Sequence, residues 1–314
     1  MCEPDEHVDW TGLDCVRLNM TFFSSIKDHS PSRRRLLKAG LLGATGLALY
    51  SGEIARHWVE VVETDVKLVG LPRVFDGMRI VQLSDIHLDE YSEPLYVSSV
   101  VGRVNRLQPD AVFLTGDFVT DGFSTHHYQT NAAWQCAEIL SGLTCKLRYA
   151  VLGNHDFGVS AWLVSKALEA NGIPVLHNSH VQIERAGGRF WLAGVYDAVV
   201  GMADPDRAIP AAIRNVPNEP VVLLCHAPDF ADSVLKHPCG ASVGLMLSGH
   251  THGGQVRLPI FGAVELPELG KKYVEGLFRL GAMQLYVNRG IGTIGLPFRL
   301  NCPPEITVLT LRAG

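Results

Sequence analysis

From about residue 60, short apolar runs alternate with longer stretches whose apolar positions recur at helical spacing. Arg79–Ser84, Ala111–Thr115 and Arg148–Leu152 are compact, largely apolar and bounded by polar turns, which predicts buried strands. Between and after them, Pro94–Leu107, Asn131–Leu143 and Ser160–Ala170 predict helices. The second half predicts more strands, at Val181–Glu184, Phe190–Val195, Val221–Cys225, Gly244–Leu247, Met283–Val287 and Ile306–Leu311. Arg185-Ala186-Gly187-Gly188-Arg189 predicts the hairpin turn between the first two of these. The expected architecture is one α/β (α+β) domain over residues 60–314, a four-layer sandwich of two mixed β-sheets flanked by helices.

Polar residues that carry chemistry gather where the apolar runs stop. Asp85-Ile86-His87, Gly116-Asp117, Gly153-Asn154-His155-Asp156, His226 and Gly249-His250-Thr251-His252 each follow such a run. Carboxylate oxygen, amide oxygen and neutral imidazole together suit divalent metals of hard or borderline character. Strand side chains alternate faces, so Asp85 and His87 are expected to point the same way, as are His250 and His252. Gly116 permits a tight turn that leaves Asp117 free to bridge two metals. Two divalent cations, two carboxylates and one hydroxide sum to about +1, which attracts a phosphoryl anion without a basic surface.

Composition narrows the function. The formal net charge is −5 and 47% of the residues are hydrophobic, so a large core is affordable and no broad basic field for nucleic acid is present. A nuclease is therefore disfavoured and no nucleic-acid partner is expected. The seven Cys contain no C-x-x-C pair, which argues against a structural zinc knuckle; Cys136 and Cys145 are left as an open pairing, and Cys225 reads as a buried strand thiol. His57, His177, His180 and His237 read as structural or surface residues.

The N-terminus carries a different signal. Residues 1–31 are polar, acidic and without a clear period, and read as a disordered extension. Ser32-Arg33-Arg34-Arg35-Leu36-Leu37-Lys38, followed by apolar Ala39–Tyr50, resembles a twin-arginine export signal with Leu at the usual Phe position. That likeness implies residues 32–54 as signal or membrane anchor and the twin-arginine translocase as a partner. It also implies a place in the periplasm or on the outer face of the cytoplasmic membrane. The segment is short for a span of ~20 residues. Cleavage or retention of the signal, and a start at Met1 or Met20, are both left open.

Taken in order, the five blocks resemble the calcineurin-like metallophosphoesterase superfamily, whose pattern is Asp-x-His, Gly-Asp, Gly-Asn-His-Asp/Glu, His, Gly-His-x-His. The likeness spans roughly residues 75–312 and all five blocks match. It implies a dinuclear metal-dependent phosphoric ester hydrolase with the metallophosphoesterase fold and two divalent ions, Mn, Fe or Zn. One ion would take Asp85, His87, Asp117 and His252; the other Asp117, Asn154, His226 and His250. It further implies attack by a metal-bridging hydroxide, with His155 protonating the leaving-group oxygen and Asp156 orienting it. Asn288–Gly292, Pro297–Arg299 and Asn301–Glu305 resemble the exported or membrane-attached bacterial branch. Arg289 and Arg299 are candidate phosphate clamps or, equally, members of structural ion pairs, and His126 and His127 are candidate substrate contacts. The expected reaction is phosphodiester hydrolysis. Alternatives are a lipid-linked pyrophosphate, such as a UDP-2,3-diacylglucosamine-type lipid A precursor, and a phosphomonoester. A non-catalytic binding module is disfavoured because no ligand position is lost.

Overall fold

The computed structural model describes residues 33–89, 93–122 and 126–314, without the side chains of 126–129. The acidic extension, Met20 and Ser32 therefore lie outside the described residues, as do the side chains of His126 and His127. Two compact units divide at residue 45. Helix α1 (Arg33–Leu49) runs across that division and buries none of its side chains. Among the described residues no helix is long and apolar enough to cross a membrane.

In the larger unit the elements follow as β1 (Glu60–Leu68), β2 (Arg79–Leu83), α2 (Pro94–Leu107), β3 (Ala111–Leu114), α3 (His126–Ser141), β4 (Arg148–Ala150), α4 (Asn154–Val159) and α5 (Ala161–Ala170). Next come β5 (Ser179–Arg185), β6 (Gly188–Gly194), α6 (Pro205–Ala208), β7 (Val221–Leu224), α7 (Ala231–Lys236) and β8 (Val243–Ser248). The chain closes with β9 (Arg257–Leu258), β10 (Gly262–Ala263), β11 (Gly276–Leu280), β12 (Met283–Val287) and β13 (Glu305–Ala313). One sheet has the order β1-β13-β2-β3-β4, the other β11-β12-β8-β7-β6-β5, and β9 and β10 form a separate ribbon. Both large sheets are mixed: β2, β3 and β4 run parallel with β13 antiparallel to β2, and β6, β7, β8 and β12 run parallel between antiparallel edges.

Alternation along each strand assigns its two faces. Ile80, Phe113, Leu192, Leu224, Leu247 and Leu309 meet between the sheets, whereas Val81, Val112 and Leu114 turn outward onto Val100 and Val104 of α2 and Ala137 and Leu140 of α3. Leu223, Met246 and Leu285 face away from the first sheet and pack with Val234 of α7. This gives the expected layers. The hairpin also forms where expected: Arg185 pairs with Gly188, and Ala186 and Gly187 between them take positive φ, 46° and 82°, as a tight two-residue turn needs.

Four strands escape the hydrophobic pattern: β1, β11, and the two-residue strands β9 and β10 of the ribbon. Edge strand β1 alternates Glu, Thr, Asp and Lys with its apolar residues and stays largely exposed, so it reads as polar chain. β11 is an edge strand too, with none of its residues buried. The open Cys136–Cys145 pairing closes in the negative. Both thiols are free; Cys136 packs in the core, while the Cys145 thiol donates to the Leu147 carbonyl.

Candidate metal centre

Parallel strands bring their carboxyl ends to one edge, and every polar block sits there. Asp85 and His87 follow β2, Asp117 follows β3, Asn154 and His155 follow β4, His226 follows β7, and His250 and His252 follow β8. The two sheets are tied directly beneath: the Gln82 amide of β2 donates to Thr115 Oγ1 at 3.0 Å and to the Ser248 carbonyl at 2.9 Å. Strand alternation is not what aims the paired ligands. β2 ends at Leu83 and β8 at Ser248, and Asp85, His87, Asp117, His250 and His252 all have left-handed backbone, with φ between 47° and 72°. A turn that re-enters this region at alternate residues brings both side chains of each pair inward, at a cost that folded proteins meet mainly at functional sites. Gly153 makes the close approach feasible, since a Cβ there would lie 2.7 Å from His226 Nε2 and overlap the Asp117 carboxylate.

The side chains converge around Asp117. Its Oδ2 lies 3.0 Å from His226 Nε2 and 3.5 Å from His87 Nε2, while its Oδ1 accepts from the His155 amide at 2.9 Å. Asp85 Oδ1 is 3.5 Å from His252 Nε2, which lies 3.1 Å from His87 Nε2. His250 Nδ1 is 3.2 Å from His226 Nε2. Two donor groups without a common residue follow, Asp85-His87-His252 and Asp117-His226-His250, and a third, His87-Asp117-His155, overlaps both; each is compact enough to hold one cation. Asn154 Oδ1 is buried with no hydrogen-bond partner among the described residues, an orphan that a cation would satisfy.

Outer contacts leave the inward nitrogens free. His226 Nδ1 sits 2.7 Å from the Thr115 carbonyl and His250 Nε2 sits 2.7 Å from the Glu268 carbonyl. A carbonyl only accepts, so each of these nitrogens carries the hydrogen; the other nitrogen of His250 presents its lone pair to the centre, and His226 Nε2 does so once it sheds the proton it shares with Asp117. His87 Nδ1 meets Thr120 Oγ1 at 3.1 Å, and that hydroxyl donates onward to Asp89 at 2.8 Å, which fixes His87 in the same sense. Burial pushes His87 down to about 3 and His250 down to about 4, and His252 falls well below the ordinary imidazole value for the same reason. All three are therefore neutral imidazoles at physiological pH. Burial alone would raise Asp117, but the imidazoles of His226, His155 and His87 hold its carboxyl well below the usual range. His226 shows the mirror image: the Asp117 carboxylate overcomes burial and raises it well above the ordinary value. Burial pushes Asp85 up to about 6. The centre is thus a buried cluster short of positive charge, as a cation site is before loading.

Residues 78–254 match the family model of the calcineurin-like phosphoesterases. The chain belongs to that family. It is 34% identical over 292 residues to the uncharacterized metallophosphoesterase YkuE of Bacillus subtilis (strain 168), covering 90% of this chain and 98% of that protein. It is 32% identical over 290 residues to the phosphodiesterase YaeI of Escherichia coli (strain K12), covering 89% of this chain and 99% of that one. A transmembrane protein with metallophosphoesterase domain from Danio rerio is 32% identical over 295 residues, covering 90% of this chain and 64% of its own.

Within this phosphoesterase, three expected roles change. Asp156 does not touch the His155 ring. Its buried carboxylate accepts from the amides of Asp117, Phe118, Val119 and Gly153, between 2.9 and 3.3 Å, and so staples the turn carrying Asp117 to the turn carrying Asn154. The His155 partner is Asp121, whose carboxylate contacts His155 Nδ1. Sequence reasoning passed over Asp121 because only the folded loop brings it to His155; the single cue was its nearness to Gly116-Asp117.

Neither arginine is a free phosphate clamp. Arg299 is fully buried, and all three of its guanidinium nitrogens donate to backbone carbonyls, those of His252, Arg289, Gly290, Gly292 and Cys302. It holds the β12–β13 connection against the His252 turn. Arg289 is bound by Glu305 at 2.6 Å and Glu60 at 3.0 Å.

Proposed function

We propose that this chain is a dinuclear metal-dependent phosphodiesterase. One divalent cation would be held by Asp85, His87, Asp117 and His252, the other by Asp117, Asn154, His226 and His250. The observation that carries this reading is the convergence of buried imidazoles, buried carboxylates and the orphaned Asn154 oxygen around one shared residue, Asp117. Bound metal would polarise the ester phosphoryl group and lower the pKa of a water. The chain's own part is positional. Asp117 stays ionised under three facing imidazoles; His155 projects from the first turn of α4 toward the same cavity, with Asp121 behind Nδ1 to set the ring so that Nε2 can give a proton to the departing oxygen.

The cavity over the centre has a volume of about 700 Å³ and, among the described residues, no Lys or Arg in its lining. A monoanionic diester suits such walls better than a monoester dianion or a pyrophosphate, and YaeI, a relative over nearly its full length, is named a phosphodiesterase. Mn, Fe and Zn all fit the donor set. Export by the twin-arginine route, to the periplasm or the outer membrane face, belongs to the same proposal and is supported by the Arg33-Arg34 pattern.

The test is a panel of aryl diester, aryl monoester and lipid-linked pyrophosphate with protein reconstituted in each metal. The diester is expected to turn over fastest, and His155→Ala to retain metal while losing about a hundredfold or more in turnover. Inactivity on every ester in every metal would remove the enzyme reading. Preference for the pyrophosphate would replace the substrate class. Substituting Arg33 and Arg34 with Lys should hold the precursor inside the cell, and unchanged export would refute the route.

A further inference from the structure

The cavity above the metal centre has two unlike walls. One is Asp117, Asn154, His155, His250 and His252; the other is Val256, Val264, Pro267, Ile294, Leu296 and Phe298. Among the described residues, charge in the lining beyond the ligand cluster comes from Glu265, an acid. Cavities that bind small molecules are commonly apolar with a few polar groups at one end, and this volume is within their range of roughly 300–1,000 Å³.

The apolar wall does not stop at the cavity. It continues onto the β9–β10 ribbon, whose tip Pro259-Ile260-Phe261 stands in solvent: Ile260 is 101% exposed and Phe261 84%, with Leu258, Val264 and Leu296 also exposed. Contiguous exposed apolar surface of this kind marks an interaction site. Ile260 also holds φ 74°, which a β-branched residue adopts only under strain. The tip therefore projects at a local conformational cost.

We infer that this wall and ribbon tip take the hydrocarbon part of an amphiphilic phosphodiester presented at a lipid surface, so that the substrate is a membrane lipid or lipid-like ester. The inference rests on the phosphodiesterase reading. Charge supports a lipid over a soluble polyanion, because a diester carries one negative charge for the metal centre and its remaining substituent meets apolar side chains and an acid. The same chain carries α1, a fully exposed apolar helix with Arg33, Arg34, Arg35 and Lys38 at its start, and basic residues beside apolar ones favour anionic lipid surfaces. In the reaction, water oxygen bonds to phosphorus, the bond from phosphorus to the leaving oxygen breaks, and that oxygen departs with a proton. The hydrocarbon substituent is unchanged and serves only for binding.

The test uses the full chain with metal and three p-nitrophenyl phosphodiesters, whose second substituent is methyl, hexyl or dodecyl. Charge and leaving group are constant across them. Each fully buried methylene is worth up to ~4-fold, so kcat/KM for the hexyl ester should exceed the methyl ester by at least about tenfold. The dodecyl ester in mixed micelles should be best. Ile260→Asp with Phe261→Asp should lower the dodecyl-to-methyl ratio at least about fivefold, and because this is a ratio, a general loss of folded enzyme does not move it. Methyl, hexyl and dodecyl esters cleaved within twofold of one another would overturn the inference and leave the phosphodiesterase reading standing. No cleavage of any of them would fail that reading instead. A ribbon tip that mediates pairing of two copies would appear as a concentration-dependent mass abolished by the same double substitution with the ester ratio unchanged, and would also overturn it.

Discussion

The two walls of the cavity are built on opposite principles. On the metal side every side chain is buried or braced, as with His226 on the Thr115 carbonyl, His250 on the Glu268 carbonyl and Asp156 under four amides. On the other side the ribbon stands free, with Ile260 and Phe261 in solvent. Chemistry tolerates little displacement of its groups, so a braced wall suits it. Capture of a flexible apolar substituent needs area more than registration, so a loosely supported wall suffices. Changes on the first side should act on turnover and metal content; changes on the second should act on substrate preference.

The sharpest break would come at Asp117, which both donor groups face. Asp117→Asn should cut diester turnover by about a thousandfold or more, since ligands of one cluster act as a unit, and should lower the metal content measured by elemental analysis. Full turnover in this variant would mean that the braced wall is not the site. A pH series on metal-free protein probes the same wall more gently. Burial holds a proton on Asp85 up to about 6, whereas His87 and His250 stay neutral down to about 3 and 4. An incoming cation must displace that proton as well as the one on His226, so metal affinity should fall more steeply below pH 6, by about a further tenfold per unit. Affinity unchanged from pH 7 to 5 would contradict the placement of Asp85.

Arg299 separates bracing from chemistry. Arg299→Met leaves five backbone carbonyls without their shared donor, and should cost about 3–5 kcal/mol in denaturant unfolding. Metal content of the protein that remains folded should be unchanged. A variant as stable as the parent but unable to bind substrate would restore the clamp that the structure argues against.

What the sequence made legible divides along the same line. Asp, Asn and His at the ends of apolar runs have few reasons to be there, so the ligand blocks stood out before any coordinates, and Met283–Val287 was bounded to the residue. The bracing was not legible. Thr115 and Glu268 act through backbone carbonyls that any residue has, and Thr120 and Asp121 reach their imidazoles only through the folded loop. Arg299 stayed open between clamp and ion pair for a related reason: a guanidinium near a phosphoesterase site invites a phosphate, and its burial among backbone carbonyls is a property of the fold. The apolar wall was hidden because Val256, Ile260 and Leu296 are residue types expected in a core.

Asp121 gives a smaller effect within the braced wall. If it only positions His155, Asp121→Asn should lower kcat by about ten- to a hundredfold, part of what a general acid contributes, with metal content and KM unchanged. The loss should be larger for an alkoxide leaving group than for p-nitrophenolate, which departs with little help. Equal losses on both would show that Asp121 merely supports the loop.

The smallest effect, and the one that tests the other wall, is Ile260→Gly. Glycine adopts φ 74° without the steric cost that a β-branched side chain pays, and Ile260, being fully exposed, contributes no burial to the fold. Relief of strain outweighs the added freedom of the unfolded chain, so the variant should be more stable by about 0.5–1 kcal/mol in chemical denaturation. It should also lose preference for long-chain esters while cleaving the methyl ester as before. A residue that lowers stability where it stands, yet improves capture of hydrocarbon, is there for its surface. If Ile260→Gly were instead destabilised, the tip would be making contacts that hold the fold, and the contrast between a braced wall and a free one would fail at its most exposed residue.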